Sequence, residues 1–198
     1  MGKWFARLYD VAMSPLEQFK FKKIRKRLLR KSEGRVLEIG SGTGTNFQLY
    51  RGGLQVDAIE PDPFMKEISI KQKEKSKVPI RTYLEKAESL PFANDTFDSI
   101  IGTLVFCTIE DPGKALKEVK RVCKPGGRVL LFEHVRFDNP VLGRLQDMCT
   151  PIWSKVCGGC RLNRNTRERL KNAGFAIDNT EEYFKGLFLV IECVNSKE

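Results

Sequence analysis

Val36-Leu37-Glu38-Ile39-Gly40-Ser41-Gly42-Thr43-Gly44, an apolar run closing on Gly-x-Gly-x-Gly, decides how this chain folds. Glycines that follow a strand let the backbone turn tightly and approach a ligand at a distance no side chain allows. Glu60-Pro61-Asp62 comes about twenty residues later, the distance at which an acidic residue ends the next strand and accepts hydrogen bonds from ribose hydroxyls. The pattern therefore predicts a site for a nucleoside-containing cofactor.

The details narrow the cofactor. A dinucleotide fingerprint requires Gly or Ala at position 45; Thr45 stands there, and the third glycine comes one residue early, at Gly44. Glu38, two residues before the first glycine, would repel a pyrophosphate and suits a ligand carrying an ammonium and a sulfonium. That charge pattern fits S-adenosylmethionine better than NAD. The stretch resembles the first motif of the class I S-adenosylmethionine-dependent methyltransferases, a hydrophobic residue and then (D/E)-x-G-x-G-x-G.

At 198 residues the chain is expected to be one domain, long enough for a full core. It is 41% hydrophobic and 30% charged, an ordinary balance for a soluble globular protein. It contains no apolar run long enough to span a bilayer. Trp4, Phe5, Leu8 and Val11 are interrupted by Arg7 and Asp10, which argues against a signal peptide. Six cysteines without a short-domain disulfide pattern read as reduced thiols, and the expected location is cytoplasmic.

The net charge of +10 is uneven, since eight of the twelve residues from Lys20 to Lys31 are Lys or Arg. Ser14-Pro15-Leu16-Glu17 offers an N-cap, a first-turn proline and a capping-box glutamate. Phe21, Ile24 and Leu28 recur at helical spacing. The run reads as a solvated helix face, or as a patch attracted to lipid headgroups or RNA. Any membrane contact through residues 1–31 would be peripheral, at the membrane surface. Trp4, Phe5, Leu8 and Tyr9 suit either the headgroup region or a lid over a pocket.

Strand and helix signals alternate along the rest. Strands are expected at Arg35–Ile39, Gln55–Glu60, Pro79–Tyr83, Phe97–Thr103 and Arg128–His134. Helices are expected from about Asn46, through 66–77, over Pro112–Cys123 and over Thr166–Ala173. Segment 136–163 reads as less regular, and Phe175–Tyr183 with Leu187–Val194 forms a closing hairpin around Lys185-Gly186. The expected fold is α/β: a doubly wound, Rossmann-like seven-stranded sheet, mostly parallel with an antiparallel last strand, plus N-terminal helices. Its expected parts are an N-terminal basic helix or lid (1–34), a cofactor-binding core (35–135), a substrate-side insertion (136–163) and a C-terminal helix and hairpin (164–198).

Further stretches strengthen the resemblance. Ala87-Glu88-Ser89-Leu90-Pro91-Phe92, Phe97-Asp98-Ser99-Ile100-Ile101 and Arg121-Val122-Cys123-Lys124-Pro125-Gly126-Gly127 are similar to segments of the ubiquinone/menaquinone-type methyltransferases. The resemblance implies S-adenosylmethionine as methyl donor and S-adenosylhomocysteine as product. It implies contacts from Glu38, Gly40, Ser41, Gly42, Thr43 and Gly44 at the methionine end, Glu60 and Pro61 at the ribose, Ala87 and Glu88 at the adenine, and Thr103 and Leu104 along the cleft. Asp98, at the start of its strand, reads as structural.

A narrower resemblance, to the methyltransferase-like seven group and its bacterial relatives, rests on several stretches. They are Phe5-Ala6-Arg7-Leu8-Tyr9-Asp10, Thr103-Leu104-Val105-Phe106-Cys107, Glu133-His134-Val135, Gln146-Asp147, Pro151-x-Trp153, Gly158-Gly159-Cys160-Arg161-Leu162-Asn163-Arg164 and Ala173-Gly174-Phe175. Animal members are membrane-associated thiol S-methyltransferases, and some bacterial relatives are phospholipid N-methyltransferases. This chain is expected to lack their apolar N-terminal anchor. The implied acceptor is a small or lipophilic molecule, with a thiol or phosphatidylethanolamine as candidates.

His134, the single histidine, falls at the end of a strand and is the candidate general base or substrate-orienting group. Tyr9, Cys107, Trp153, Arg161 and Arg164 are the candidate pocket residues. Leu142, Leu145, Met148, Ile152, Trp153 and Val156 give the insertion more apolar surface than a solvated loop carries, as a lid packed on the N-terminal helices would. Cys157-x-x-Cys160 is a single close pair where structural zinc sites have two, so no metal is expected. No specific nucleic acid is expected either: the N/D-P-P-Y/F motif of many base-methylating enzymes does not occur.

Overall fold

Three helices start on the same dipeptide chemistry. Asp62-Pro63, Asp111-Pro112 and Asn139-Pro140 each place a side-chain acceptor at the N-cap and a proline, which has no amide to leave unpaired, at the first helical position. Asp62 accepts from the amides of Phe64 (2.9 Å) and Met65 (3.2 Å), and Asn139 from those of Val141 (3.0 Å) and Leu142 (3.1 Å). The computed structural model describes residues 20–197. The expectations for Trp4, Phe5, Leu8, Tyr9 and the Ser14 cap lie outside the described residues.

In chain order the elements are α1 (Lys22–Leu29), β1 (Arg35–Ile39), β2 (Gln55–Ile59), α2 (Pro63–Glu74), β3 (Ile80–Tyr83), β4 (Phe97–Thr103), α3 (Pro112–Val122), β5 (Cys123–His134), α4 (Pro140–Val156), α5 (Thr166–Asn172), β6 (Phe175–Tyr183) and β7 (Phe188–Asn195). Among the described residues the strands form one seven-stranded sheet in the order β3-β2-β1-β4-β5-β7-β6. Every pairing is parallel except those of β7, which runs antiparallel to β5 and β6. The fold is the expected α/β one. Chain order reverses between β1 and β4, and the crevice beyond their carboxyl ends is where such sheets bind ligands.

Two apolar layers sandwich the sheet. Leu37, Ile100, Val129, Leu131 and Ile191 pack under α3 and α5 with Leu116, Val119 and Leu170. Val36, Ile101, Leu130 and Phe132 pack on the other face with Phe21, Ile24 and Leu28 of the α1 segment and with Phe47. Phe21 is fully buried, its ring edge-on to Phe132 (5.1 Å), Phe188 (5.0 Å) and Phe184 (5.9 Å). The expected apolar stripe therefore fixes the basic helix to the sheet.

Two expectations need correction. The helix from Asn46 is only a 3-10 turn, Phe47–Leu49. Asn46 and Tyr50 are anchored through their side chains to Glu38, and Gly53, at φ +86°, ends the segment. Segment 136–163 is less irregular than expected, because residues 140–156 form one helix despite Gly143 and the internal Pro151. Smaller differences are an earlier start for α2 and an earlier start for β5, which pairs Cys123 with Phe97 across a bulge.

Truncating Phe21 leaves a void where three rings converge. Phe21→Ala is expected to cost about 3–5 kcal/mol of stability in urea unfolding, whereas a loss below about 1 kcal/mol would mean that α1 is not part of the core.

Candidate functional site

The turn after β1 is built for close approach. Gly40, Gly42 and Gly44 have φ of +61°, +55° and +83°, a region that side-chain-bearing residues rarely adopt. A Cβ on Gly40 would lie 2.1 Å from Cγ2 of Val105, so that turn must be bare to clear the loop after β4. A Cβ on Gly42 would meet nothing within 4 Å. Its bare backbone faces open space, with room for a ligand to lie against it. Ser41 donates its amide to Ile59 (3.0 Å) and Gly44 to Ser41 (2.9 Å), and Thr43 sits partly exposed at the tip.

Beneath this turn, Glu38 is almost fully buried. It accepts from Asn46 Nδ2 (3.0 Å) and Tyr50 Oη (2.7 Å). Burial pushes its carboxyl up to about 7, against the pull of these two donors and of Arg25. Asn46 also donates to Thr103 Oγ1 (3.0 Å), and Arg25 donates to Asn46 Oδ1 (3.2 Å) and to Thr103 Oγ1. One residue of the basic run thus turns inward and joins the ends of β1 and β4. Sequence reasoning missed Arg25, Asn46 and Tyr50. Position 25 was findable, being four after Phe21 and three before Leu28, on the apolar side of the helix.

At the end of β2, Glu60 accepts from the amides of Gly42 (2.9 Å) and Asp62 (2.9 Å). Burial raises its pKa, and those two amides work against the rise. The carboxylate thus bridges the glycine turn and the start of α2, with lone pairs left for further donors. Next to it an open cleft of about 380 Å³ is lined by Pro61, Leu84, Glu85, Lys86 and Ser89. Ala87 is buried in the core, and Glu88 accepts from the amide of Asp111 (3.1 Å). The two residues expected at the adenine, Ala87 and Glu88, do not line this cleft; Leu84, Glu85 and Lys86 before them and Ser89 after them do.

Two buried carboxylates, a bare glycine turn and a neighbouring cleft lie in one line along the carboxyl ends of β1 and β2. Their negative charge and open backbone fit an adenosine ligand with a cationic tail, and they fit a pyrophosphate poorly.

The ends of β4 and β5 form the other side. Leu104 has φ +56°, a strained conformation for a branched residue. Its amide donates to Phe132 (2.7 Å), and the next amide, of Val105, donates to Glu133 Oε1 (3.0 Å). Glu133 is fully buried, and burial raises its carboxyl to about 7 while the amides of Val105, Phe106 and Cys107 pull it down. Sequence reasoning missed Glu133 as the post of this loop.

The strand's alternation divides the residues expected to act together. Glu133 faces the loop bearing Cys107, while His134, on the opposite face, lies edge-on to Phe188 (5.5 Å). Burial lowers the pKa of His134 to about 4, and its Nδ1 is buried with no hydrogen-bond partner among the described residues.

Cys107, Trp153, Arg161 and Arg164 do gather, on the Glu133 face. The amide of Arg161 donates to Cys107 (2.9 Å), and Arg164, nearly buried, donates to the carbonyl of Ile109 (2.7 Å). The Cys107 thiol donates to the carbonyl of Leu104 (3.6 Å), and the neighbouring Cys107 and Cys160 thiols shift each other's pKa, that of Cys107 upward and that of Cys160 downward. The Trp153 indole and the charge of Arg164 also lower that of Cys160. Arg164 therefore ties loop to loop through one guanidinium nitrogen, while its Nε is buried with no hydrogen-bond partner among the described residues. Asp98 accepts from the amide of Arg35 (2.8 Å) and from Lys124 (2.6 Å) at the opposite end of the sheet. Among the described residues no group of three or more His, Cys, Asp or Glu side chains is placed to hold a metal ion.

Comparison with known proteins agrees with this geometry. The family described as "Methyltransferase domain" matches residues 37–131. The chain is 35% identical to thiol S-methyltransferase TMT1B of Rattus norvegicus over 73% of its own length and 61% of that protein's. It is 30% identical to phosphatidylethanolamine N-methyltransferase of Cereibacter sphaeroides over 57% of each. The chain thus spans about three fifths of the length of these curated relatives. The crystal structure of YcgJ from Bacillus subtilis superposes with a TM-score of 0.70 over 88% of this chain and 98% of that one, at 18% identity.

Glu38 and Glu133 make stability depend on pH. Both are held near 7, above the value of 4.5 for a solvated glutamate, so the folded chain keeps protons that the unfolded chain has released between those values. Stability therefore falls as pH rises through that window. Glu133→Gln removes one of the two titrations and is expected to gain on the order of 1–3 kcal/mol over the parent at about pH 8 relative to about pH 5, read from urea unfolding. An equal difference at both pH values would contradict the assignment.

Proposed function

We propose that this chain, which belongs to the class I S-adenosylmethionine-dependent methyltransferases, transfers a methyl group to a small lipophilic thiol. The observation that carries the acceptor is the 35% identity to a thiol S-methyltransferase, which extends over 73% of the chain. When bound, S-adenosylmethionine supplies an electrophilic methyl on a positive leaving group. Glu38 offsets the cationic methionine end, the Gly40–Gly44 turn with Ser41 and Thr43 cradles it, and Glu60 beside Pro61 takes the ribose hydroxyls. The cleft by Leu84 and Ser89 takes the adenine.

The protein's remaining task is to align the acceptor, exclude water and leave a lone pair free. A free thiol has a pKa near 8.5, so a few per cent is already ionised at neutral pH. His134, with its pKa near 4, is neutral there and is a weak base for a thiol. Its buried, unpartnered Nδ1 instead suits it to accept the acceptor's hydrogen and orient the sulfur. Phe188, Phe184 and Leu104 give that face an apolar lining. Cys107 and Arg161, from loops, and Trp153, from α4, frame the site from the other face.

The phosphatidylethanolamine N-methyltransferase relative favours a second reading, in which the acceptor is a phospholipid amine. Under either reading the free cysteines suit a reducing cytoplasm. Among the described residues no helix is long and apolar enough to cross a membrane.

Methyl transfer to a panel of small thiols and to phosphatidylethanolamine vesicles distinguishes the readings. Thiol turnover is expected; turnover on vesicles alone would move the acceptor to lipid, and turnover on neither would contradict both. Glu60→Ala is expected to weaken S-adenosylhomocysteine binding by roughly tenfold to a hundredfold, since two charge-assisted hydrogen bonds are lost, while unfolding stays cooperative. Unchanged affinity would remove Glu60 from the site.

A further inference from the structure

Helix α4 is amphipathic the wrong way round for a surface helix. Its buried residues are Gly143, Gln146 and Thr150, small or polar, spaced three and four apart on one side. Gln146 does the tethering: its Nε2 donates to the carbonyl of Val135 (3.1 Å), and its Oε1 accepts from the amide of Phe137 (2.7 Å). The opposite side carries Val141, Leu145, Met148, Ile152 and Val156, spaced four, three, four and four apart, with exposures of 72%, 56%, 75%, 74% and 66%. A globular surface helix turns such a stripe toward the core. Here hydrogen bonds hold the polar side to the protein and the apolar side faces outward.

We infer that α4 is a membrane-docking helix, which lies in the plane of an anionic bilayer surface with its aliphatic stripe among the acyl chains. This holds whichever acceptor the enzyme uses. Charge is the first argument. Arg144 and Lys155 are exposed along one border of the stripe, where their stems can lie in the interface while the charges reach headgroup phosphates. The helix's one acid, Asp147, is held by Arg136 (2.9 Å) and Asn163 (3.0 Å). The whole chain carries +10, a balance attracted to anionic lipid.

Shape is the second argument. A helix of 17 residues is about 25 Å long, and shallow insertion into a bilayer asks for no more than one apolar face along that length. Trp153, 44% exposed at the edge of the stripe, is an aromatic with one apolar and one polar end, the type that settles at a headgroup boundary. The helix follows directly from the ligand end of β5, so docking would hold the mouth of the site at the lipid surface.

The test is sedimentation of the full chain with phosphatidylcholine vesicles containing phosphatidylglycerol, using Met148→Glu/Ile152→Glu as the variant. Both side chains are exposed, so the melting temperature and S-adenosylhomocysteine binding should be unchanged. The parent is expected to sediment with the vesicles, and the variant to lose partitioning by roughly tenfold or more, since two large apolar side chains no longer insert. In a Trp4→Phe background, Trp153 emission should shift to the blue when vesicles are added.

Lys22→Glu/Lys26→Glu on α1 should weaken binding less than the α4 variant. Three outcomes would each overturn the inference: no vesicle binding by the parent; equal binding by parent and α4 variant; or loss of binding only when α1 is changed. If light scattering shows that the α4 variant turns a dimer into a monomer while vesicles bind neither, a second copy of the chain covers this face instead.

Discussion

A carboxylate placed where water cannot reach it is the constraint around which this molecule is arranged. Glu38 stands at the end of β1, the strand beside which chain order reverses, and three elements supply its surroundings. Asn46 and Tyr50 come from the turn that follows the glycines, Thr103 from the end of β4, and Arg25 from the helix before the sheet. A buried acid is unfavourable unless paired or protonated, and Glu38, near 7, sits between those states. Such a group is poised to become fully ionised when a cation arrives. The same network explains why residues 46–50 do not continue as a helix. Their side chains are committed inward, and the backbone follows.

A second buried glutamate governs the other half of the crevice. Glu133 holds the amide of Val105, and with it the loop whose first residue, Leu104, adopts a left-handed conformation. Adjacent residues on β5 serve opposite faces. Glu133 supports the loops that carry Cys107, Cys160 and Arg164, while His134 looks toward Phe188 and the α1 side. In the proposed reaction this leaves His134 on the acceptor's face, and it makes the cysteine and arginine cluster a frame.

Much of the fold was legible. The alternation of strand and helix signals, the glycine turn and the start of α3 at Pro112 are local chemistry that can be read from sequence; Asp62-Pro63 carried the same signal for α2, whose start was expected three residues later. Asn139-Pro140 carried the same signal for α4, but Gly143 and Pro151 spoke against a helix. The aliphatic residues of α4 were expected to pack as a lid on the N-terminal helices, whereas they are exposed. Charge obscured Arg25: among eight basic residues, only its phase relative to Phe21 and Leu28 marks it as turned inward. The separation of His134 from Cys107 depends on strand parity at a junction of three elements. The pairing of Cys107 with Cys160 depends on loop geometry. Composition and spacing carry neither.

The most direct test of the account concerns the proton on Glu38. S-adenosylmethionine is titrated calorimetrically into the full chain at about pH 7 in two buffers of different ionisation enthalpy. A carboxyl titrating near that pH and meeting a cation must give up part of a proton. Binding heats that differ between the buffers in the sense of proton release, and coincide in Glu38→Gln, are the predicted result. Equal heats in both buffers for the parent chain would contradict the claim that this buried carboxylate compensates the ligand's positive end.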